Sequence, residues 1–188
     1  MNRFSKLYLI AAIPTILTGC GYNTIQRHDE QAAQAKQQID VQLQRRADLV
    51  PNLVATVKGY AKQEETIFIE VARARSGLLS AIQSGDASEA AAANAQLTGA
   101  LGRLLVTVEA YPQLKSDQNF LRLQDELAGT ENRIAVARTD YNAAVNQYNA
   151  YIRTLPQKLT AIVTGAKARE YFNAPAGTET PPQVDFTR

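Results

Sequence analysis

The chain has 188 residues, 45% of them hydrophobic and 20% charged, which supports one domain with a core of its own and excludes a disordered polyelectrolyte. Its 20 Lys and Arg stand against 18 Asp and Glu, and residues 1–20 hold Arg3 and Lys6 with no acid, so the remainder is formally neutral. A neutral body lacks the concentrated positive charge that phosphate contacts need, which argues against nucleic acid as a partner.

Residues 1–19 have the layout of an export signal. Arg3 and Lys6 form a short positive region, and Leu7 to Leu17 is an apolar run interrupted by Pro14. That run is too short to cross a hydrocarbon core of about 30 Å, which takes ~20 helical residues. Leu17-Thr18-Gly19-Cys20 follows and resembles the bacterial lipobox at all four positions. Small residues at 18 and 19 suit a peptidase cleft, and the Cys20 thiol is the acceptor for diacylglycerol. Several acyl chains anchor stably where a single one holds marginally. Cys20 is the sole cysteine, so no intrachain disulfide competes for it. The expected partner at this end is therefore a membrane, through lipid on Cys20. The alternatives are a plain signal peptide or a short anchor with an incidental Cys. Gly21 is not the Asp linked to inner-membrane retention in enteric lipoproteins, which favours the outer membrane of a bacterial envelope, facing the periplasm.

Beyond a short linker at 20–23, residues 24–172 are expected to form an all-α domain, a long antiparallel four-helix bundle. Strand alternation and Asn-Gly hairpins are missing, and apolar residues recur at helical spacing. One stripe runs Ile39, Leu43, Ala47, Val50, Val54, Val57 and Ala61, with Pro51 inside it. The stripe stays in phase across Pro51, which predicts a kinked helix, the alternative being a break with Pro51 opening a new one. Ile67, Val71, Leu78 and Ile82 form a shorter stripe, and Leu97, Leu101, Leu104, Val108 and Tyr111 another. Ser84-Gly85-Asp86 reads as the turn between them, with Asp86 able to cap the helix that follows. Tyr111-Pro112 ends that helix, and Ser116 or Asp117 can cap the next. From Asp117 to Tyr151, Phe120, Leu127, Ile134, Tyr141 and Tyr148 recur every seven residues, with Leu123, Ala137 and Ala144 between them and Thr130 as the polar exception. Leu155-Pro156 stops this helix, and a short one is expected around 157–169. Residues 173–188 are Pro-, Thr- and Gly-rich, an extended tail. Within it Pro181-Pro182-Gln183-Val184-Asp185-Phe186 reads equally as a frayed end and as a docking peptide anchored by Val184 and Phe186 around Asp185.

The residues for catalysis do not assemble in the sequence. His28 is the sole histidine and has Ile25 three residues before it, so the Glu-x-x-His pairs of a di-metal bundle are missing. No second His can activate a Ser or Thr, and no phosphate loop or zinc-protease motif occurs. No catalytic residue, metal site or cofactor is therefore expected. Glu64, Glu65, Glu70, Asp125, Glu126 and Glu131 are read as solvated, or paired with Arg73, Arg75, Arg133 and Arg138. Tyr141-Asn142 and Tyr148-Asn149 are read as core aromatics with exposed neighbours. Two polar stretches stand out: Arg45, Arg46, Asp48 and Asn52 around Pro51, and Glu131, Asn132 and Arg133 in the long helix. Structurally, Asp48 or Asn52 would satisfy backbone groups that Pro51 disturbs, and the second stretch would set helix register. Functionally, both would line a groove for a partner or ligand.

The run from Arg45 through Val54, continuing to Ala61, resembles the hallmark of the LemA family. So do Ala110-Tyr111-Pro112-Gln113-Leu114-Lys115, Asn119-Phe120-Leu121-Arg122-Leu123-Gln124, Thr130-Glu131-Asn132-Arg133-Ile134, Ala137-Arg138, the Tyr-Asn pairs and the Val184-Asp185-Phe186 ending. The resemblance covers roughly residues 22–188. It implies a helical bundle and membrane association, and carries no enzyme activity, cofactor or catalytic residue with it. LemA-like proteins are commonly described with an N-terminal transmembrane segment, from which the lipobox here departs. A relative of the family takes part in forming magnetosome membranes, so membrane shaping is implied by analogy. Two roles are expected on this basis. One is a non-enzymatic envelope scaffold with a protein partner or self-association. The alternative is a ligand-binding or sensory module with a groove between helices near Pro51 and Glu131.

Overall fold

The computed structural model describes residues 21–61 and 63–173. Among them every regular element is an α-helix: α1 (Tyr22–Tyr60), α2 (Glu65–Ser84), α3 (Ala87–Val108), the single turn α4 (Pro112–Lys115), α5 (Gln118–Tyr151) and α6 (Gln157–Thr164). The fold is the all-α bundle that the apolar stripes predict. The signal region 1–19, Cys20 and the tail from residue 174 onward lie outside the described residues.

The chain divides into two compact units, one holding residues up to Ile39 and 136–171, the other 40–135 and residues from Phe172 onward. The second unit carries α1 from Asp40 onward, α2, α3, α4 and α5 as far as Ala135. Its core follows most of the predicted stripes: Leu43, Ala47, Val50 and Val57 of α1, Val71 and Leu78 of α2, Leu97, Leu101 and Leu104 of α3, and Phe120, Leu123 and Ile134 of α5 are all buried. Ile67, Ile82 and Leu127 are half-buried, and Phe68 and Ala81 take the core positions next to the first two. Leu53 takes the core position expected of Val54. Full burial of each large aliphatic side chain stabilises the fold by about 1.5–3 kcal/mol. Cross-helix pairs fix the directions. Tyr60 meets Asp117, Arg46 meets Glu131, and Gln42 meets Arg133, so each step back along α1 is matched by a step forward along α5. These two helices are antiparallel. Glu70 of α2 pairs with Arg103 of α3 across the turn at Gly85, which makes that hairpin antiparallel too.

Local chemistry sets the boundaries. Gly85 ends α2 in a left-handed conformation, φ 76°, where a side chain would be strained. Asp86 then caps α3, its carboxylate accepting the Ser88 and Glu89 amides at 2.7 and 2.9 Å. Asp117 caps α5 by accepting the Phe120 amide at 2.9 Å. Pro112 opens α4, where its missing amide is of no consequence. Pro51 lies within a single helix, so the break that would start a new helix there does not occur.

The first unit is built from the start of α1, the end of α5, α6 and a strap to Tyr171. Ile25, Tyr148, Ile152 and Ala161 form its core cluster, with Tyr151 and Ala166 packed against it. The helix expected over 157–169 stops at Thr164, because Gly165 turns the chain at φ 71°. Residues 166–171 then run without regular structure along α5.

Candidate functional site

Proline at position 51 cannot supply the amide that would bond the carbonyl four residues back, at Ala47. The Arg75 Nε–H of α2 donates to that carbonyl at 2.7 Å. A side chain from another helix thus satisfies the group that Pro51 leaves open. The sequence reading assigned this task to Asp48 or Asn52. Asp48 instead accepts from Gln44 at 2.9 Å on the exposed side, and Asn52 is exposed with its carbonyl accepting the Thr56 hydroxyl at 2.9 Å. Neither side chain points at the interrupted ladder. Nor is Arg75 given to a carboxylate, as expected, since the carbonyl of Ala47 holds it.

One residue before Ala47, Arg46 carries its charge into the interior. It is 5% exposed, ion-paired with Glu131 of α5, and its Nη1 donates to Asn94 Oδ1 of α3 at 2.6 Å. Three helices therefore converge on one guanidinium. Burial pushes the Arg46 guanidinium below its ordinary value, and the Glu131 carboxylate opposes that shift. Thr130 beside it is fully buried and donates to the Leu127 carbonyl of its own helix at 2.7 Å. The two polar stretches meet, then, through Arg46 and Glu131 alone. Arg45, Asp48, Asn52, Asn132 and Arg133 are exposed, and Arg133 reaches Gln42 at 3.1 Å. Asn94 was missed in the sequence, where it looks like one polar residue in an Ala-rich helix.

The first unit has its own polar network. The Asn149 side chain grips the backbone of Arg169 at both groups: Nδ2 donates to the Arg169 carbonyl and Oδ1 accepts the Arg169 amide, each at 2.9 Å. The Tyr141 hydroxyl donates to the Glu170 carbonyl at 2.8 Å. The Arg169 side chain turns the other way and forks onto Asp29, Nε to Oδ1 at 2.7 Å and Nη2 to Oδ2 at 3.0 Å. Its hydrogen bond to Asp29 raises the Arg169 pKa, while burial and then the Asp29 carboxylate push the Tyr148 phenol up. Tyr141 and Tyr148 are core aromatics, as read. Asn149 is a correction, because it is 3% exposed and holds the strap in place of facing solvent. His28 packs its ring against Tyr151, centroids 5.2 Å apart.

Among the described residues no three His, Cys, Asp or Glu side chains gather where they could hold a metal ion. No described helix is long and apolar enough to cross a membrane. The lipobox residues Leu17, Thr18, Gly19 and Cys20, and Val184, Asp185 and Phe186 of the tail, lie outside the described residues.

Long antiparallel helices whose internal charges are matched across the helices define a helical-bundle protein. A family model described as the LemA family matches residues 35–186, and the chain belongs to the LemA family. It is similar to magnetosome proteins MamQ 1 and MamQ 2 of Paramagnetospirillum magneticum, each 30% identical over 200 aligned positions that take in 94% of this chain and 73% of the relative. Magnetosome protein MamQ of Magnetospirillum gryphiswaldense is 30% identical over 210 positions, covering 98% of this chain and 76% of its own length.

Proposed function

We propose that this protein is a non-enzymatic scaffold of the bacterial envelope, held at the membrane by lipid on Cys20 and offering its helical body to a protein partner or to copies of itself. The observation that carries the reading is the start of α1 at Tyr22, two residues after the lipid acceptor. A body that begins so close to its attachment point is kept next to the bilayer, which suits a structural task. The internal charges support the same view: Arg46, Glu131 and Asn94 are engaged with one another, as are Arg169, Asp29 and Asn149. The magnetosome relatives favour a role in organising or remodelling membrane. The side of the membrane is the periplasmic one, and Gly21 after the acceptor favours the outer membrane.

Intact-mass analysis of the membrane-extracted protein, beside a Cys20→Ala variant, tests this. The expected mass starts at Cys20 with acyl chains added, and the variant lacks the addition. An unmodified full-length mass would sink the lipid anchor.

A further inference from the structure

We infer that α6 is a second, non-covalent membrane contact, a short amphipathic helix that lays one face into the bilayer beside the lipid anchor. The inference rests on the membrane attachment just proposed and goes beyond it, since an anchor at Cys20 by itself leaves the body free to lean either way.

The pattern of α6 is inverted relative to a core helix. Thr160 and Ala161 are buried against the first unit's core. Leu159, Ile162 and Val163 point the other way and are 51%, 68% and 87% exposed, with Leu155 just before them at 74%. At about 100° per residue, positions 159, 162 and 163 share one face opposite the buried one. Four large aliphatic side chains exposed within nine residues are apolar surface of the kind soluble proteins avoid.

The position of Gly21, the residue after the proposed lipid acceptor, points to what covers that surface. Gly21, directly after Cys20, lies against α6 and the end of α5: a Cβ at position 21 would come within 3.1 Å of Gln157 Cγ and 3.4 Å of the Tyr151 hydroxyl. Its φ of 127° also needs glycine. An acyl chain on the neighbouring residue would therefore enter the bilayer next to α6, well within the ~10 Å diameter of one helix. Charge agrees. No Asp or Glu occurs in residues 21–28 or 141–169, where Arg27, Arg153, Lys158 and Lys167 are all exposed. Of the acids just beyond, Asp29 is paired with Arg169, and Glu30 and Glu170 are exposed. An excess of exposed basic residues around an apolar face fits an anionic lipid surface. Exposed Tyr22 adds an aromatic of the type that settles at the headgroup level.

The chain contains no Trp, so a single introduced Trp reports its own surroundings. Full-length protein extracted from membranes, carrying Ile162→Trp, is reconstituted with phosphatidylethanolamine–phosphatidylglycerol vesicles and floated. Emission is then read with lipids brominated high or low on the acyl chain. Val136→Trp, at a site 62% exposed on α5 of the same unit and about 22 Å along that helix from Tyr151, is the control. The expected result is a blue shift and loss of most emission for Ile162→Trp, stronger with the high bromines because such helices sink only about 5–10 Å. Val136→Trp is expected to show neither. Protein that floats with Ile162→Trp unquenched overturns the α6 contact and leaves the anchor standing. Equal quenching at both sites overturns it as well. A blue shift that follows protein concentration without quenching assigns the face to a second copy of the chain instead. Protein that does not float overturns both the anchor and the contact.

Discussion

The interior ion pair makes an asymmetric prediction. Arg46 is nearly sealed from solvent, whereas the Glu131 side chain is 45% exposed. Removing the carboxylate leaves a buried guanidinium with only Asn94 to face it. Severing a fully buried pair this way costs about 3–5 kcal/mol, and water access on the Glu131 side lowers that to roughly 2 kcal/mol for Glu131→Ala. Removing the cation leaves the buried Oε2 of Glu131, on a side chain that is otherwise 45% exposed and can turn toward water, together with one orphaned Asn94 oxygen. The lost hydrogen bond costs about 1 kcal/mol. Against it stands the relief of desolvation. Burial holds the Arg46 pKa down despite Glu131, so the charged form is disfavoured by folding. For a base with a depressed folded value, that deficit is present at every pH below the folded value, neutral pH included. Arg46→Met fills the same space with an unbranched apolar chain and is expected to stay within about 1 kcal/mol of the parent. Urea unfolding at neutral pH, with an unchanged m-value, gives both numbers. The reasoning is refuted if Arg46→Met is the more damaging of the two.

Three further outcomes follow from the geometry. Arg75→Met is expected to destabilise by about 1–3 kcal/mol by orphaning the Ala47 carbonyl. In a Pro51→Ala background, where the helix regains its own amide donor, that loss is expected to shrink by about 1 kcal/mol, and strictly additive losses in chemical denaturation would contradict the account. Asn149→Asp keeps an acceptor for the Arg169 amide but loses the donor to its carbonyl, so exchange of nearby strap amides is expected to accelerate about tenfold, while unaltered exchange would show the clamp to be incidental. The Phe120 amide, and then the Tyr60 hydroxyl, hold Asp117 below the ordinary carboxylate value of 3.8. Its contribution is therefore complete above 3.8 and lost as pH falls through the lower folded value, and Asp117→Asn should flatten that acid limb of the urea midpoint against pH.

Periodicity and punctuation are local properties, and the sequence by itself determined what depends on them. Apolar stripes at helical spacing mark the buried faces of α1, α3 and α5, and Gly85-Asp86, Asp117 and Pro112 mark helix ends. Each works through its own backbone or its neighbours within a turn. The family too was legible, because its motifs are ordered strings of residues. What only the tertiary structure decided are contacts between residues far apart in the chain. Pro51 announces an orphaned carbonyl, yet nothing local says that Arg75, 28 residues beyond Ala47, answers it. Arg46 and Arg45 are equivalent as letters. The rotation of α1 buries one and exposes the other, and only then do Asn94 and Glu131 become its partners. Asn149 looks like a polar neighbour of a core tyrosine until the strap at Arg169 folds back onto it. The exposed aliphatic face of α6 has the same cause. The sequence marks a short helix there but not which side it buries, and it is the burial of Thr160 and Ala161 that turns Leu159, Ile162 and Val163 outward.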